Sequence, residues 1–185
     1  MVKLNKIYTR TGDTGSAGLV DGSRVSKASA RMAAIGDVDE ANASVGMAII
    51  LLDDESLGRQ LRRIQNDLFD LGADIATPGE VEGALRITAG QVERLEHEID
   101  AMNADLEPLR SFILPGGSPG VAALHLARTV VRRAERSAVA LSQAEQVNPA
   151  ALAYLNRLSD LLFVAARFVA AKDGGDILWQ PGATR

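Results

Sequence analysis

The sequence predicts an all-α fold, an up-and-down bundle of helices. Three observations carry this: a high alanine content, apolar residues recurring at steps of three and four along five segments, and six prolines that fall mostly in the turns between them. At 185 residues the chain fits one domain, long enough to bury about 70% of its unfolded surface. There is no cysteine, and the longest apolar run, Val45 to Leu52, is far short of the ~18 residues that mark a membrane span. The opening "MVKLNKIYTR" lacks the apolar stretch of a signal peptide, so a soluble cytoplasmic protein is expected.

The first helix is predicted from about Lys27 to Leu52. The second carries Leu57, Leu61, Ile64, Leu68, Leu71 and Ile75 on its apolar positions and stops at Thr77-Pro78-Gly79. Thr88 is placed to cap a third, whose stripe is Val92, Leu95, Ile99 and Met102. "SFILPGGSPG", Ser111 to Gly120, cannot be helical throughout. The fourth and fifth helices follow, about Ser118 to Ser142 and Asn148 to Lys172. On the fifth, Leu152, Leu155, Leu158 and Leu162 fill one side while Tyr154, Leu161, Val164 and Phe168 fill much of the other. A helix apolar on both sides is covered on both, and a second subunit is the expected second cover.

A formal net charge of −4, a pI near 5.2 and 4% aromatic residues give no general attraction to nucleic acid. An anionic ligand must therefore meet a local basic cluster. In "ARTVVRRAER", Ala127 to Arg136, helical spacing sets Arg128, Arg132, Glu135 and Arg136 within about 100° of arc. This is either a solvated face or an anion site; the like-charged neighbours Arg132 and Arg136 repel unless an anion lies between them. On the fifth helix, Asn156, Asp160 and Arg167 form a polar strip beside Phe163, and buried polar groups need partners. In "GDVDEANA", Asp39 and Glu40 interrupt an apolar stretch of the first helix, as a site or as an exposed turn. His97 is expected in solvent and His125 at the edge of the basic face; neither stands in a metal-ligand pattern, so no metal ligand is assigned.

"TRTGDTG", Thr9 to Gly15, is either a loose leader or an anion-binding loop, in which glycines admit backbone N–H groups and the threonines and Arg10 add donors. It does not match the P-loop pattern, since no Lys-Ser/Thr pair closes either glycine spacing. Nor does the chain alternate strands and helices as a dinucleotide-binding fold does.

Together, "TRTGDTG", "DGSRVSK", "GDVDEAN", "SFILPGG", "RTVVRRAER" and "LNRLSDLLF" occur in an order that resembles the PduO-type ATP:cob(I)alamin adenosyltransferases, from about Lys6 to Gly182. The resemblance implies a five-helix, ferritin-like bundle assembled as a homotrimer with ATP between subunits. It implies one domain: an ordered N-terminal loop (6–27), the bundle (27–174) and a C-terminal tail (175–185). Thr9, Arg10, Thr11, Gly12, Asp13, Thr14 and Gly15 resemble the loop around the ATP phosphates, supported by Arg24 and Lys27. Arg132, Glu135 and Asn156 resemble the helical side of that site, with Arg133 and Arg136 as supports. Arg128 and Asp39 resemble an ion pair between subunits, and Phe112 the residue beneath the corrin ring. Where the family commonly has D-E-L-N this chain reads "DEAN", so Ala41 makes a smaller contact.

The implied reaction transfers the 5′-deoxyadenosyl group of ATP, with Mg²⁺, to the cobalt of cob(I)alamin and releases triphosphate. The partners implied are ATP and cobalamin, with a cobalamin reductase and an adenosylcobalamin-dependent enzyme beside them, and neither nucleic acid nor membrane. A non-catalytic nucleotide or corrinoid carrier would keep the same bundle without turnover, and a purely structural bundle would bind no ATP.

Overall fold

The computed structural model describes residues 7–185, so Lys6 lies outside the described residues. Two short strands, β1 (Ser16–Gly18) and β2 (Arg24–Ser26), form an antiparallel hairpin ahead of the helices. The hairpin is the reason α1 (Ala30–Ile50) begins three residues later than its apolar pattern predicts: Arg24 to Ser26 are paired as a strand, and Ser29 caps the helix by accepting from the Met32 N–H at 3.3 Å. Asp54 caps α2 (Glu55–Ile75) through the Leu57 N–H at 3.0 Å. At the start of α3 (Ala89–Asn103) the Gln91 side chain reaches back to accept from the Thr88 N–H at 3.0 Å. Pro119 and Pro149 occupy first-turn positions of α4 (Pro119–Ser142) and α5 (Pro149–Ala170), where a missing N–H does no harm.

Each helix runs opposite to the one before it. Arg31 at the start of α1 pairs with Glu145 beyond the end of α4, Asn148 before α5 donates to Asp74 near the end of α2, and Lys172 after α5 pairs with Asp54 before α2. Neighbours in space are not all neighbours in sequence. α1 packs on α2 and α4, and α5 packs on α4 and α3.

This arrangement corrects one expectation. Tyr154, Leu155, Leu158, Leu161 and Leu162 are all essentially fully buried within the single chain and Leu152 and Phe168 partly so, so α3 and α4 cover most of both sides of α5 and no second subunit is required for that burial. Tyr154 runs through this core to donate to Asp67 at 2.8 Å, where Gln91 and Arg94 also converge; burial first, then the Asp67 charge, pushes the phenol pKa upward. Ala41 is fully buried. No helix among the described residues is long and apolar enough to cross a membrane.

Candidate functional site

The loop from Thr9 to Gly15 is exposed but internally bonded. Arg24 straps it, its Nη2 donating to the Thr11 carbonyl at 2.7 Å and to Ser16 Oγ at 2.8 Å. The Lys27 N–H donates to the Gly15 carbonyl at 2.8 Å and the Gly15 N–H to the Gly12 carbonyl at 3.1 Å. Thr9 and Thr11 hydroxyls lie 2.8 Å apart. Two positions carry conformational demands. Arg10 has φ of 63°, in the left-handed region, and a Cβ on Gly12 would meet the Lys27 Nζ at 3.0 Å. The loop is thus a turn held against Arg24 and Lys27, with the Arg10 guanidinium 5.7 Å from the Tyr8 ring centre and Asp13 and Thr14 exposed. The Val20 N–H ties the hairpin tip to the Ala76 carbonyl at 3.1 Å, at the C-terminal end of α2.

On α4 the four arginines part company. Arg133 is taken by α1: it pairs with Glu40 and, at 3.3 Å, with Asp37, which also accepts from Ser137 Oγ at 2.5 Å. Arg132, its neighbour in sequence, is exposed and makes no ion pair among the described residues; Arg136 donates to the Arg132 carbonyl at 2.9 Å. Glu135 accepts from Asn156 Nδ2 of α5 at 2.8 Å, so Arg132, Glu135 and Asn156 do share one face. No hydrogen bond or ion pair joins this face to the N-terminal loop among the described residues.

Arg128 sits one turn before Arg132. Its guanidinium lies 6.0 Å from the Phe163 ring centre, its Nε is buried without a partner, and burial followed by Arg132 lowers its pKa. Asp39 lies elsewhere, exposed on α1 in a groove of about 420 Å³ with Met32, Ile35 and Phe69, and the two residues do not meet within one chain. His97 is exposed as expected; His125 is not at an edge but 3% exposed, its ring edge-on to Phe163 at 6.4 Å and its Nδ1 unpartnered. Burial and then Arg128 lower the imidazole pKa. The polar strip of α5 is split: Asp160 pairs with Arg157 at 2.9 Å, and buried Arg167 pairs with Asp176 at 3.0 Å.

Phe112 is 77% exposed on the turn after α3. With Leu109, Ile113, Phe163, Trp179 and Pro181 it lines an open, mainly apolar cavity of about 570 Å³. Trp179 is the residue that sequence reasoning missed. It stands edge-on to Phe112, ring centres 6.0 Å apart, and its N–H donates to the Phe112 carbonyl at 2.8 Å. The signal available was the apolar run Ile177-Leu178-Trp179, holding the one tryptophan of the sequence, in the tail "DILWQPG".

Comparison with known proteins identifies the family and agrees with the fold. The cobalamin adenosyltransferase family profile matches residues 7–169. A corrinoid adenosyltransferase of Mycobacterium tuberculosis is 54% identical over 190 residues, covering 100% of this chain and 97% of that one; that of Bacillus subtilis is 45% identical, covering 96% and 94%. Among solved structures, a Phe-to-His variant PduO-type ATP:corrinoid adenosyltransferase from Lactobacillus reuteri, complexed with cobalamin and ATP, superposes with a TM-score of 0.90 at 38% identity over 95% of this chain and 97% of that one. An Arg-to-Lys variant from the same source, complexed with ATP, has a TM-score of 0.88 at 38% identity, over 94% and 100%. Match to the profile over nearly the whole bundle, and identity above half with a full-length relative, make this chain a member of the cobalamin adenosyltransferase family.

Proposed function

We infer that this chain is a corrinoid adenosyltransferase, which transfers the 5′-deoxyadenosyl group of ATP to the cobalt of cob(I)alamin. The electron pair of Co(I) forms the Co–C5′ bond, the C5′–O bond breaks, and its electrons leave with triphosphate. The nucleophile belongs to the corrinoid, so the protein's part is placement, charge and exclusion of water. One observation carries the reading: a single helix pair presents both kinds of surface. Arg132, Glu135 and Asn156 offer charge and hydrogen bonds, while Phe163, seven residues or about 10 Å further along α5, opens onto the Phe112 cavity.

Arg132 receives the triphosphate, with Arg136 beside it; Arg133 does not, since α1 already holds it. The loop from Thr9 to Gly15, with Arg24 and Lys27, closes over the phosphates from a neighbouring protomer. That neighbour is supported by the separation of loop and helical face within one chain, and by the complementary pair of an exposed Asp39 and an Arg128 whose Nε lacks a partner. A homotrimer follows as the proposed assembly, one domain per chain, in the cytoplasm. No group of three or more His, Cys, Asp or Glu side chains is placed to cage a metal among the described residues. An Mg²⁺ would be held chiefly by phosphate oxygens and water, with Glu135 as the carboxylate at hand; it would neutralise charge on the leaving group. Phe112 occupies the lower face of the corrin, where apolar bulk displaces the lower axial ligand and eases reduction of Co(II). A reductase and an enzyme that consumes the product are the partners proposed.

The test is anaerobic mixing with ATP, Mg²⁺ and chemically reduced cobalamin. Conversion to the alkylcobalt spectrum with release of one triphosphate per cobalt is expected; ATP binding without conversion would make the chain a carrier.

A further inference from the structure

Phe112 lies on a turn that its own neighbours do not hold. The turn is stitched instead to the C-terminal tail: the Leu114 N–H donates to the Ile177 carbonyl at 2.7 Å, the Trp179 N–H to the Phe112 carbonyl at 2.8 Å, and Ser111 Oγ to the Trp179 carbonyl at 3.0 Å. Both segments share one anchor in α5. Arg167, 8% exposed, pairs with Asp176 where the tail begins and donates to the Glu107 carbonyl, at 2.8 Å, where the turn begins. The Trp179 ring then meets the Phe112 ring edge-on. A 77% exposed phenylalanine has many rotamers open to it, and this contact is what limits them.

We propose that Trp179, on a strap pinned by Arg167 and Asp176, is the positioning residue that holds Phe112 in register beneath the corrin and closes one wall of that cavity. The inference rests on the reading of Phe112 given above. It requires the strap to act on the cobalt step and to leave the nucleotide step alone, because no hydrogen bond or ion pair joins the tail to the Arg132 face or the N-terminal loop among the described residues.

Trp179 is also the only tryptophan in the chain, which makes it its own reporter. Its emission should be quenched on addition of cob(II)alamin to the ATP-loaded protein and unaffected by ATP alone; emission indifferent to the corrinoid overturns the proposal. With ATP and cob(II)alamin, Trp179→Ala should lower the four-coordinate cobalt signal in electron paramagnetic resonance by about 2- to 10-fold, the range of an edge-to-face aromatic contact. Trp179→Phe should restore most of it. Trp179→Leu, which keeps apolar bulk and folding but no ring edge, should stay low. ATP affinity and melting temperature should be unchanged in the Phe and Leu variants. Phe112→Ala combined with Trp179→Ala should be no worse than Phe112→Ala alone, since one acts through the other. If Phe112→Ala abolishes the signal while the Trp179 variants leave it intact, only the strap's role is overturned. If Phe112→Ala itself leaves the signal intact, the corrin placement fails and takes the strap with it.

Discussion

Two stretches of irregular chain bound the proposed site, and they are held in opposite ways. The loop from Thr9 to Gly15 is fastened by Arg24 and Lys27, close to it in sequence, the longest bond spanning the 13 positions from Thr11 to Arg24. The Phe112 turn is fastened by residues 60 and 68 positions away, through Arg167 to Glu107 and Trp179 to Ser111. Closing a short loop is entropically easy and needs no tertiary partner, so the loop proposed for phosphate can take its shape within the single chain. The Phe112 turn takes its shape only after α5 has docked and the tail has folded back. The loop proposed for the polar role is built from local geometry, and the turn proposed for the apolar role from long-range contact.

The sharpest break in that comparison is Phe112→Ala. It should bind ATP as the parent does, fail to form four-coordinate Co(II), and lose most activity with cob(II)alamin and a reductant. With cobalamin already reduced to Co(I), much of the rate should return, and Phe112→Trp should be milder than alanine throughout. Equal loss in both assays with a lowered melting temperature would make Phe112 a packing residue.

Next in size is Asp39→Ala. If Arg128 takes its counterion from a neighbour, removing the carboxylate strands a half-buried guanidinium and weakens each contact by about 3–5 kcal/mol. Light scattering should then show trimers dissociating at micromolar concentration. A protein that is monomeric before substitution would remove the trimer altogether.

Arg132→Ala tests the polar half. Loss of a charge-assisted bond to phosphate is worth about 1.5–3 kcal/mol, roughly 10- to 150-fold in ATP use. Corrinoid affinity should be untouched. Arg133→Ala, by contrast, should lower stability through Asp37 and Glu40 and spare ATP affinity, which separates two arginines that adjoin in sequence.

The smallest effect concerns pH at the seam between the halves. His125 has its pKa lowered from 6.5 by burial and by Arg128, with Asp176 opposing. The unfolded chain therefore binds the proton more readily than the folded one, and stability rises with pH until the unfolded pKa is passed. Stability should decline as pH falls below about 6.5, with a slope from this one site of at most about 1.4 kcal/mol per pH unit. His125→Gln should flatten that decline in thermal melts; an unchanged slope would assign it to other groups.

Much of the fold was legible because helical signals are local. Ser118, Asn148 and Thr88 mark helix starts where they were expected, the stripe of α2 is buried as its spacing requires, and on α3 Leu95 and Met102 are buried with Val92 and Ile99 partly so. The hairpin of Ser16–Gly18 with Arg24–Ser26 was not, because three-residue strands leave no periodicity to detect. The double apolar face of α5 was read correctly as buried on both sides, yet assigned the wrong cover: periodicity reports that a side is covered and is silent on what covers it.

The same division runs through the site. By itself the sequence determined the helices, the Thr88 start of α3, and the common face of Arg128, Arg132, Glu135 and Arg136, because spacing along a helix sets angular position and needs nothing else; Asn156, on α5, reaches Glu135 only through packing. It also determined membership of the family through motifs in order. Only the tertiary structure decided which arginine stays available, since the carboxylates that take Arg133 sit on α1, nearly a hundred residues earlier in the chain. Only the tertiary structure brought Trp179 to Phe112 and left Asp39 apart from Arg128. Those outcomes depend on how helices pack side by side, and packing joins residues whose separation along the chain carries no mark of their meeting.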